Sequence, residues 1–314
     1  MNYEVWALIN CKTPARERRL VRLAARQMNI SRYTPLAVLA IFILLFVAEK
    51  LFPLRESRGG LLARLVVNGI VSGLAFVIAA VAVRPSALRA LNWASEKPFG
   101  LLHLAPLPTW AQFAIGFLLL DLSFYYWHVL NHKVPLLWRF HNVHHIDPEL
   151  DVSTGFRFHF GEVFFSTLFR VVQVSVIGMS FTTFAIYEVV FQANTLFHHS
   201  NLRLPIRLER LLNKILVTPR MHGIHHSQVR GETNSNFGVV CPWWDRLHQT
   251  LGLNIAQARI EIGIPGYVLP EDNKLWRALL LPFVKQRDYW RKPEGSAPSR
   301  APADLEKHKS YLAE

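Results

Sequence analysis

Cysteine and charge are both scarce in the 314-residue sequence. Its two cysteines, Cys11 and Cys241, cannot form a disulfide framework or a cysteine-rich zinc module. Charged residues make up 18% of the sequence and hydrophobic residues 51%, which is too apolar for an ordinary soluble domain. Acidic residues are the rarer charge, and the formal net charge is +13. This composition predicts a membrane protein with a basic surface in water.

The first 33 residues contain no long apolar stretch, so they do not have the pattern of a cleavable signal peptide. Basic residues outnumber acidic ones in this segment, and we expect it to rest on anionic lipid headgroups. Contact with a membrane accounts for the charge, so no nucleic-acid partner is expected. The sequence also lacks a phosphate-binding glycine loop.

Long apolar blocks predict an all-α fold, an integral membrane bundle of about four to five membrane helices. The block 65–83 has 19 uncharged residues, near the ~20 that a bilayer crossing requires, whereas 33–48 is shorter. The block 110–130 ends in aromatic residues that are typical of the membrane interface. The block 163–197 is long enough for two crossings, and its weak point at residues 178–180 predicts a hairpin.

These patterns divide the chain into five parts. Two are terminal segments: a basic interfacial one at the N-terminus and a tail, expected to be disordered, at the C-terminus. Between them we expect N-terminal membrane helices with their connection, a histidine-rich domain and a C-terminal cap segment. The predicted boundaries are 1–33, 34–109, 110–252, 253–291 and 292–314.

Histidine is the residue in excess, and 11 of the 14 histidines lie between positions 128 and 226. Three patterns contain eight of them: HxxxH once and HxxHH twice, which is far more than chance would give at this composition. Residues at i, i+3 and i+4 share one face of a helix, so each pattern can direct its imidazoles to a common centre. The eight are His128, His132, His141, His144, His145, His222, His225 and His226.

Eight buried neutral imidazoles need a partner for their lone pairs, and a metal provides one. Four-coordinate zinc uses four ligands and an octahedral site six, so eight or nine imidazoles indicate two ions close together. Imidazole also suits zinc, copper and nickel, but a redox-active iron pair could activate O2. For His103, His248 and His308 we expect structural roles.

Three further residues are candidates for supporting roles. Asp121 lies two helical turns before His128, and we expect its carboxylate to orient a ligand imidazole through the second ring nitrogen. His159 could donate a similar hydrogen bond, with ordinary packing as the alternative. His198 and His199 close the hairpin, and one of them is expected to be a further ligand.

The order of these motifs resembles the fatty acid hydroxylase superfamily, which includes sterol desaturases, C4-methylsterol oxidases and sphingolipid hydroxylases. The resemblance covers about residues 110–252. It extends to residues outside the three patterns, and the F-x-H-x-N element of the family selects His199 rather than His198 as the ligand. Val129, Phe160 and His248 depart from the family pattern, which weakens any transfer of substrate preference. The additional matching motifs are Asp121-x3-Tyr125-x2-His128, Arg157-Phe158-His159, Phe197-His198-His199-Ser200-Asn201, Asn236-Phe237-Gly238 and Trp244-Asp245-Arg246.

The resemblance implies a helical fold in which about four membrane helices carry a cytosolic cap with a di-iron centre. It implies insertion of oxygen from O2 into an unactivated C–H bond of a lipid, or desaturation of that bond, with the metal site on the cytoplasmic face. On this hypothesis nine histidines bind the two iron ions. They are His128, His132, His141, His144, His145, His199, His222, His225 and His226.

Each turnover of such an enzyme needs two electrons from outside, and nothing in the sequence resembles a fused haem or iron–sulfur domain. We therefore expect a separate ferredoxin- or cytochrome-like donor to dock on the basic surface. One alternative is a carotenoid hydroxylase or an alkane-type monooxygenase with the same histidine patterns. An alternative of another class is a metal transport or storage protein.

Overall fold

The computed structural model describes residues 35–57 and 59–300, and their regular structure consists of helices. The prediction of an all-α fold is confirmed for these residues. The basic segment 1–33, His308 and the end of the predicted tail lie outside the described residues. The α-helices are α1 (35–51), α2 (Leu61–Ile78), α3 (Arg84–Glu96), α4 (Thr109–Lys133), α5 (Pro135–His145), α6 (Phe160–Ile177), α7 (Phe181–His199), α8 (Ile206–Leu212), α9 (Pro219–His225), α10 (Arg230–Thr233), α11 (Trp243–Leu247) and α12 (Leu275–Leu280).

A π-helical turn, Ala79–Val83, joins α2 directly to α3. Pro85 lies in the first turn of α3, where its missing N–H leaves no hydrogen bond unmade. The helix therefore continues to Glu96, into residues 84–109, whose four prolines are typical of a connection between helices. Both α2 and α3 pack along α6.

Three helical segments are long and apolar enough to cross a membrane: Leu61–His103, Thr109–Lys133 and Phe160–Ile177. Large apolar side chains on their surfaces are exposed, Leu62 and Leu168 among them. Because hydrocarbon can cover such surfaces and water covers them poorly, these segments make the chain an integral membrane protein. The described part of α1 is apolar and largely exposed as well.

The predicted hairpin in residues 163–197 is present as α6 and α7. Its turn lies at the expected weak point, where Gly178 takes a left-handed conformation (φ 69°) and ends α6. Ser180 then begins α7, since its side chain accepts a hydrogen bond from the backbone N–H of Thr183 at 3.1 Å. The hairpin returns the chain to the end of the molecule that carries the histidines.

A buried ionic network attaches α2 to the segment between α5 and α6. The Arg64 guanidinium donates to Asp147 at 2.7 Å and to Asp151 at 2.8 Å. Asn68 donates to the same Asp147 carboxylate at 2.9 Å. Burial raises the pKa of Asp147, but the charges of Arg64 and Arg157 outweigh burial and lower the pKa to about 2.

The C-terminal part covers the histidine-bearing helices. The short apolar helix α12 buries Ala278 in a cluster with Trp138 and Ile146. Residues 292–300 lie against the same part of the molecule, where Arg300 donates to Glu232 at 2.7 Å. The first nine residues of the predicted tail are thus placed on the folded body.

Candidate metal centre

The centre is built from the ends of four helices. HxxxH occupies the last turns of α4, the first HxxHH the last turn of α5, and the second runs along α9 to the residue that follows it. His199 is the last residue of α7. The helical i, i+3 and i+4 spacing gives each element one face of imidazoles, and the packing of the four elements brings those faces together.

The nine histidines of the predicted ligand set fall into two groups. In each group the ring nitrogens that could bind an ion all lie within 4.8 Å of one another. The rings of His145 and His226 stack across the two groups at 4.3 Å. The first group is His128, His132, His141, His145 and His225, and the second is His144, His199, His222 and His226.

In the second group the geometry fits a cation. His199 Nδ1 is 2.7 Å from the Thr195 carbonyl, so this nitrogen carries the proton and Nε2 has a free lone pair. That Nε2 lies 3.0 Å from Nε2 of His144 and 3.0 Å from Nε2 of His222. A single in-plane lone pair cannot serve both neighbours, whereas an ion between the rings would accept a lone pair from each.

In the first group, hydrogen bonds on the far side of the rings fix which nitrogen faces the centre. His128 Nδ1 donates to the Phe237 carbonyl at 2.9 Å, and His225 Nδ1 donates to the Ser235 carbonyl at 2.7 Å. Nε2 of His225 is then a buried lone pair without a hydrogen-bond partner. Partners of this kind orient the imidazoles of metal sites and raise their basicity.

Burial favours the neutral form of four rings, those of His144, His145, His225 and His226. It lowers the pKa of His225 to about 3, although the Ser235 carbonyl opposes the shift. Burial, together with the neighbouring imidazoles, lowers the pKa of His144, His145 and His226 well below the ordinary value. A neutral imidazole is the form that binds metal, so at neutral pH these rings need lose no proton to do so.

Glu162 is a member of the site that sequence reasoning did not assign. It lies in the first turn of α6, and its carboxylate accepts a hydrogen bond from His141 Nδ1 at 2.9 Å. The available signal was an acidic residue directly before the apolar block 163–197, where an unpaired carboxylate would be costly.

The expected bond from Asp121 to an imidazole is not formed, and that prediction is wrong. Asp121 instead accepts hydrogen bonds from Trp244 Nε1 at 2.8 Å, from the Tyr187 hydroxyl at 3.1 Å and from two backbone N–H groups, those of Val240 and Cys241. A buried carboxylate takes as many donors as it can reach; this loop offers three and α7 offers the fourth, Tyr187. Asp121 therefore holds the 240–244 loop.

Asp245 directly follows that loop. Sequence analysis matched it as a motif residue but assigned it no role. Its carboxylate accepts from the backbone N–H groups of Phe237 and Gly238 at 2.8 and 2.7 Å. The carbonyl of Phe237 is the one that receives the His128 proton. The carboxylates of Asp121 and Asp245 thus hold the chain segment whose Phe237 carbonyl orients the His128 imidazole.

The other histidines have structural surroundings. His159 begins α6 by accepting from the Gly161 N–H at 3.0 Å and donates to the Leu279 carbonyl at 3.1 Å, so packing replaces the expected bond to a ligand. His248 stacks on Tyr125 at 4.8 Å, and His103 is exposed on the surface. His198 is buried with its ring 4.1 Å from that of His222, but it belongs to neither group.

An apolar cavity of about 240 Å³ opens beside both groups. Phe124, Trp127 and Val239 line it together with several of the histidines. The ion pair between Arg170 and Glu188 lies in its wall and joins α6 to α7. An apolar substrate could therefore reach the imidazole nitrogens without passing through bulk water.

A helical membrane bundle with clustered imidazoles beside an apolar cavity defines the class of membrane-bound, histidine-rich oxidoreductases. Residues 113–250 match the family model described as fatty acid hydroxylase, so this part of the chain is similar to that family. The matched range contains all nine histidines of the two groups. The chain is thus an oxygen-dependent oxidoreductase.

Named relatives agree with this similarity. An ornithine lipid hydroxylase of Rhizobium tropici is 28% identical over 76% of this chain and 71% of its own length. Human cholesterol 25-hydroxylase is 30% identical over 54% of this chain and 62% of its own length. Human alkylglycerol monooxygenase is 27% identical over 50% of this chain, but the match spans only 34% of that protein. No solved structure matches the chain.

Proposed function

We propose that the protein is a membrane-bound di-iron oxygenase that hydroxylates or desaturates an unactivated C–H bond of a lipid. The observation that carries this proposal is the convergence of nine imidazoles into two groups, both of which contribute histidines to the wall of one cavity between membrane helices. Two groups of nitrogens suit two ions, and the cavity suits an apolar substrate.

The two groups would each hold one iron ion, five imidazoles in one case and four in the other. Iron in such a site supplies the activation of O2 that attack on an unactivated C–H bond requires. The carbonyls of Thr195, Ser235 and Phe237 and the carboxylate of Glu162 hold the rings with Nε2 towards the ions. Phe124 and Trp127 line the substrate side and exclude water.

The substrate class follows from the relatives and from the cavity. The named relatives act on an ornithine lipid, on cholesterol and on alkylglycerols, which share an apolar body and a polar group. The exposed surface of the cavity in this chain is mainly apolar, and the Arg170–Glu188 pair is among the polar groups in its wall. A sterol, a fatty acyl lipid or a sphingolipid-like molecule would meet both requirements.

We further propose that the histidine end of the bundle forms a cap on the cytoplasmic face. The chain after residue 200 has 17 Lys and Arg against 11 Asp and Glu, and such an excess favours the cytoplasmic side of a membrane. The same surface would receive a separate ferredoxin- or cytochrome-like electron donor, because a basic surface attracts an acidic partner.

Replacement of one ligand from each group tests the proposal. His144→Ala and His225→Ala should each remove most of the bound iron and abolish O2-dependent product formation, since each ring faces the centre of its group. His103→Ala is the matched control, because this ring is exposed and far from both groups in the fold. Metal content is measured by elemental analysis and products by lipid mass spectrometry.

The outcomes separate the proposal from its rival of another class. A metal storage or transport protein would bind metal in the unmodified form and give no oxygenated or desaturated lipid. Normal turnover in either ligand variant would overturn the assignment of that group.

A further inference from the structure

A second cavity adjoins the one at the metal centre. It has a volume of about 590 Å³ and lies between α1 and α2, with Val38, Leu39 and Leu65 among its apolar walls. The two cavities share lining residues, namely Phe76, Phe156 and Gln192. They are therefore neighbours with a common boundary.

The volumes indicate that a lipid occupies more than the cavity at the centre. Ligand sites in proteins commonly measure roughly 300–1,000 Å³, and the cavity beside the histidines, at about 240 Å³, is smaller than that. A lipid with a carbon at the imidazoles must extend past this space. The cavity between α1 and α2 is large enough for the remainder.

Two glycines of α2 keep the second cavity open. A Cβ atom at Gly69 or Gly73 would meet no heavy atom within 4 Å, so neither glycine is needed for close contact between helices. The membrane-facing side chain next in sequence, Leu74, is exposed and does not line the cavity. Larger side chains at the two glycine positions would fill the cavity without a clash.

The first helix is fastened near its C-terminal end. The Glu49 carboxylate accepts from the backbone N–H groups of Val152 at 3.0 Å and Asn201 at 2.8 Å. Pro35 and Val38, at the other end of the described helix, line the cavity. The cavity thus extends along α1 to the end that is away from this attachment.

Aromatic rings stand at the common boundary. Phe156 stacks with Phe42 at 5.9 Å and meets Phe76 edge to face at 5.3 Å. Its backbone is held by the Ser72 hydroxyl, which donates to the Phe156 carbonyl at 2.9 Å. The boundary is thus a side-chain contact on a fixed backbone, and rotation of rings is enough to open it.

We propose that an acyl chain of a bilayer lipid enters between α1 and α2, passes Phe156 and reaches the imidazoles. We call the space lined by Val38, Phe42, Gly69, Gly73 and Phe156 the lipid entrance. The inference rests on the proposed function and extends it, because α1 and α2 lie outside residues 113–250 that match the family.

Photolabelling of the whole protein in vesicles tests the entrance. The probe is a phosphatidylcholine with a diazirine at the end of one acyl chain, and the labelled positions are read by peptide mass spectrometry. Phe158 lines the inner cavity and Val77 is exposed on the membrane-facing side of α2. We expect light-dependent label at both positions in the unmodified protein.

Gly73→Phe should remove the label at Phe158 and keep the label at Val77, since the new ring fills the entrance. Leu74→Phe is the matched control, with the same new side chain one position away, and should leave both labels unchanged. If Phe158 is unlabelled in the unmodified protein, or stays labelled in Gly73→Phe, the entrance is wrong. Labelling needs no turnover, so the absence of product from iron-loaded protein would refute the proposed function, while the entrance is still judged by its own labels.

Discussion

At the scale of single residues, the acceptors behind the imidazoles decide the chemistry of the centre. A neutral imidazole carries its proton on one nitrogen, and the group that accepts this proton selects the nitrogen left for metal. Here the acceptors are three backbone carbonyls and one carboxylate, that of Glu162. The carboxylate can be changed by substitution, which makes it the residue to test.

Glu162→Ala should lower metal affinity by about 10- to 100-fold, because His141 loses the acceptor that orients its ring. Glu162→Gln should have a smaller effect, since the amide oxygen can still accept from Nδ1. Chelator competition followed by elemental analysis measures the affinity. Glu56→Ala, at an exposed acidic residue, is the control, and equal affinities in the three variants would contradict the role of Glu162.

Eight of the nine histidines could be selected from sequence because their spacing matches one face of a helix, and His199 was selected by the resemblance to the family motif. The groups that accept hydrogen bonds from these imidazoles could not be selected from sequence. The Phe237 and Ser235 carbonyls belong to no side chain, and any residue type could supply them. Asp121 was misread because helical spacing places it on the same side as His128, whereas the loop at 240–244 is closer in the fold and offers three donors.

At the scale of elements, the segment between α5 and α6 connects the second histidine pattern to a membrane helix. Asp147 follows His145 by two residues and receives hydrogen bonds from Arg64 and Asn68 of α2. Its carboxylate also accepts from the Thr154 hydroxyl at 2.8 Å. The position of α5 therefore depends on one buried carboxylate.

Asp147→Ala should destabilise the protein by about 3–5 kcal/mol, because it leaves the buried Arg64 and Arg157 guanidinium groups without this partner. Arg291→Ala removes an ion pair in which both side chains are more than half exposed, and should cost less than about 1 kcal/mol. Denaturation in detergent micelles measures both changes. Equal losses in the two variants would show that the network contributes little.

Sequence periodicity predicted the helices of this fold better than the connections between them. The blocks 65–83 and 110–130 lie within helices, and the turn at 178–180 is where the glycine suggested. The continuation of α2 into α3 was not predicted, because prolines usually end helices and the π-helical turn before Pro85 removes the conflict. Packing against α6, which no local pattern records, stabilises that arrangement.

At the scale of the whole molecule, the buried imidazoles make stability depend on pH. The pKa of His225 is lowered from about 6.5 in the unfolded chain to about 3 in the fold, and those of His144, His145 and His226 are lowered too. Between these values the unfolded chain binds more protons than the folded one. The contribution of these imidazoles to folding stability is therefore fully present above their pKa in the unfolded chain, and it is lost as the pH falls towards their pKa in the fold.

Metal-free protein should show a falling melting temperature as the pH is lowered from about 6.5 towards 3, the window between the two pKa values of His225. Iron-loaded protein should begin to lose stability at a lower pH, because the ion competes with protons for the same nitrogens. Thermal scans over a pH series, with and without chelator, measure both curves. A melting temperature that rises on acidification would contradict the neutral state of these rings.

The four helix ends that meet at the centre are far apart in the order of synthesis. When α4 and α5 have been synthesised, the chain contains five of the nine imidazoles. His226 is synthesised some eighty residues after His145. Neither group of imidazoles is complete until the α6–α7 hairpin has formed and α9 has been synthesised. A metal ion can therefore be fully coordinated only by a nearly finished polypeptide, and until then the five imidazoles of α4 and α5 form an incomplete cluster.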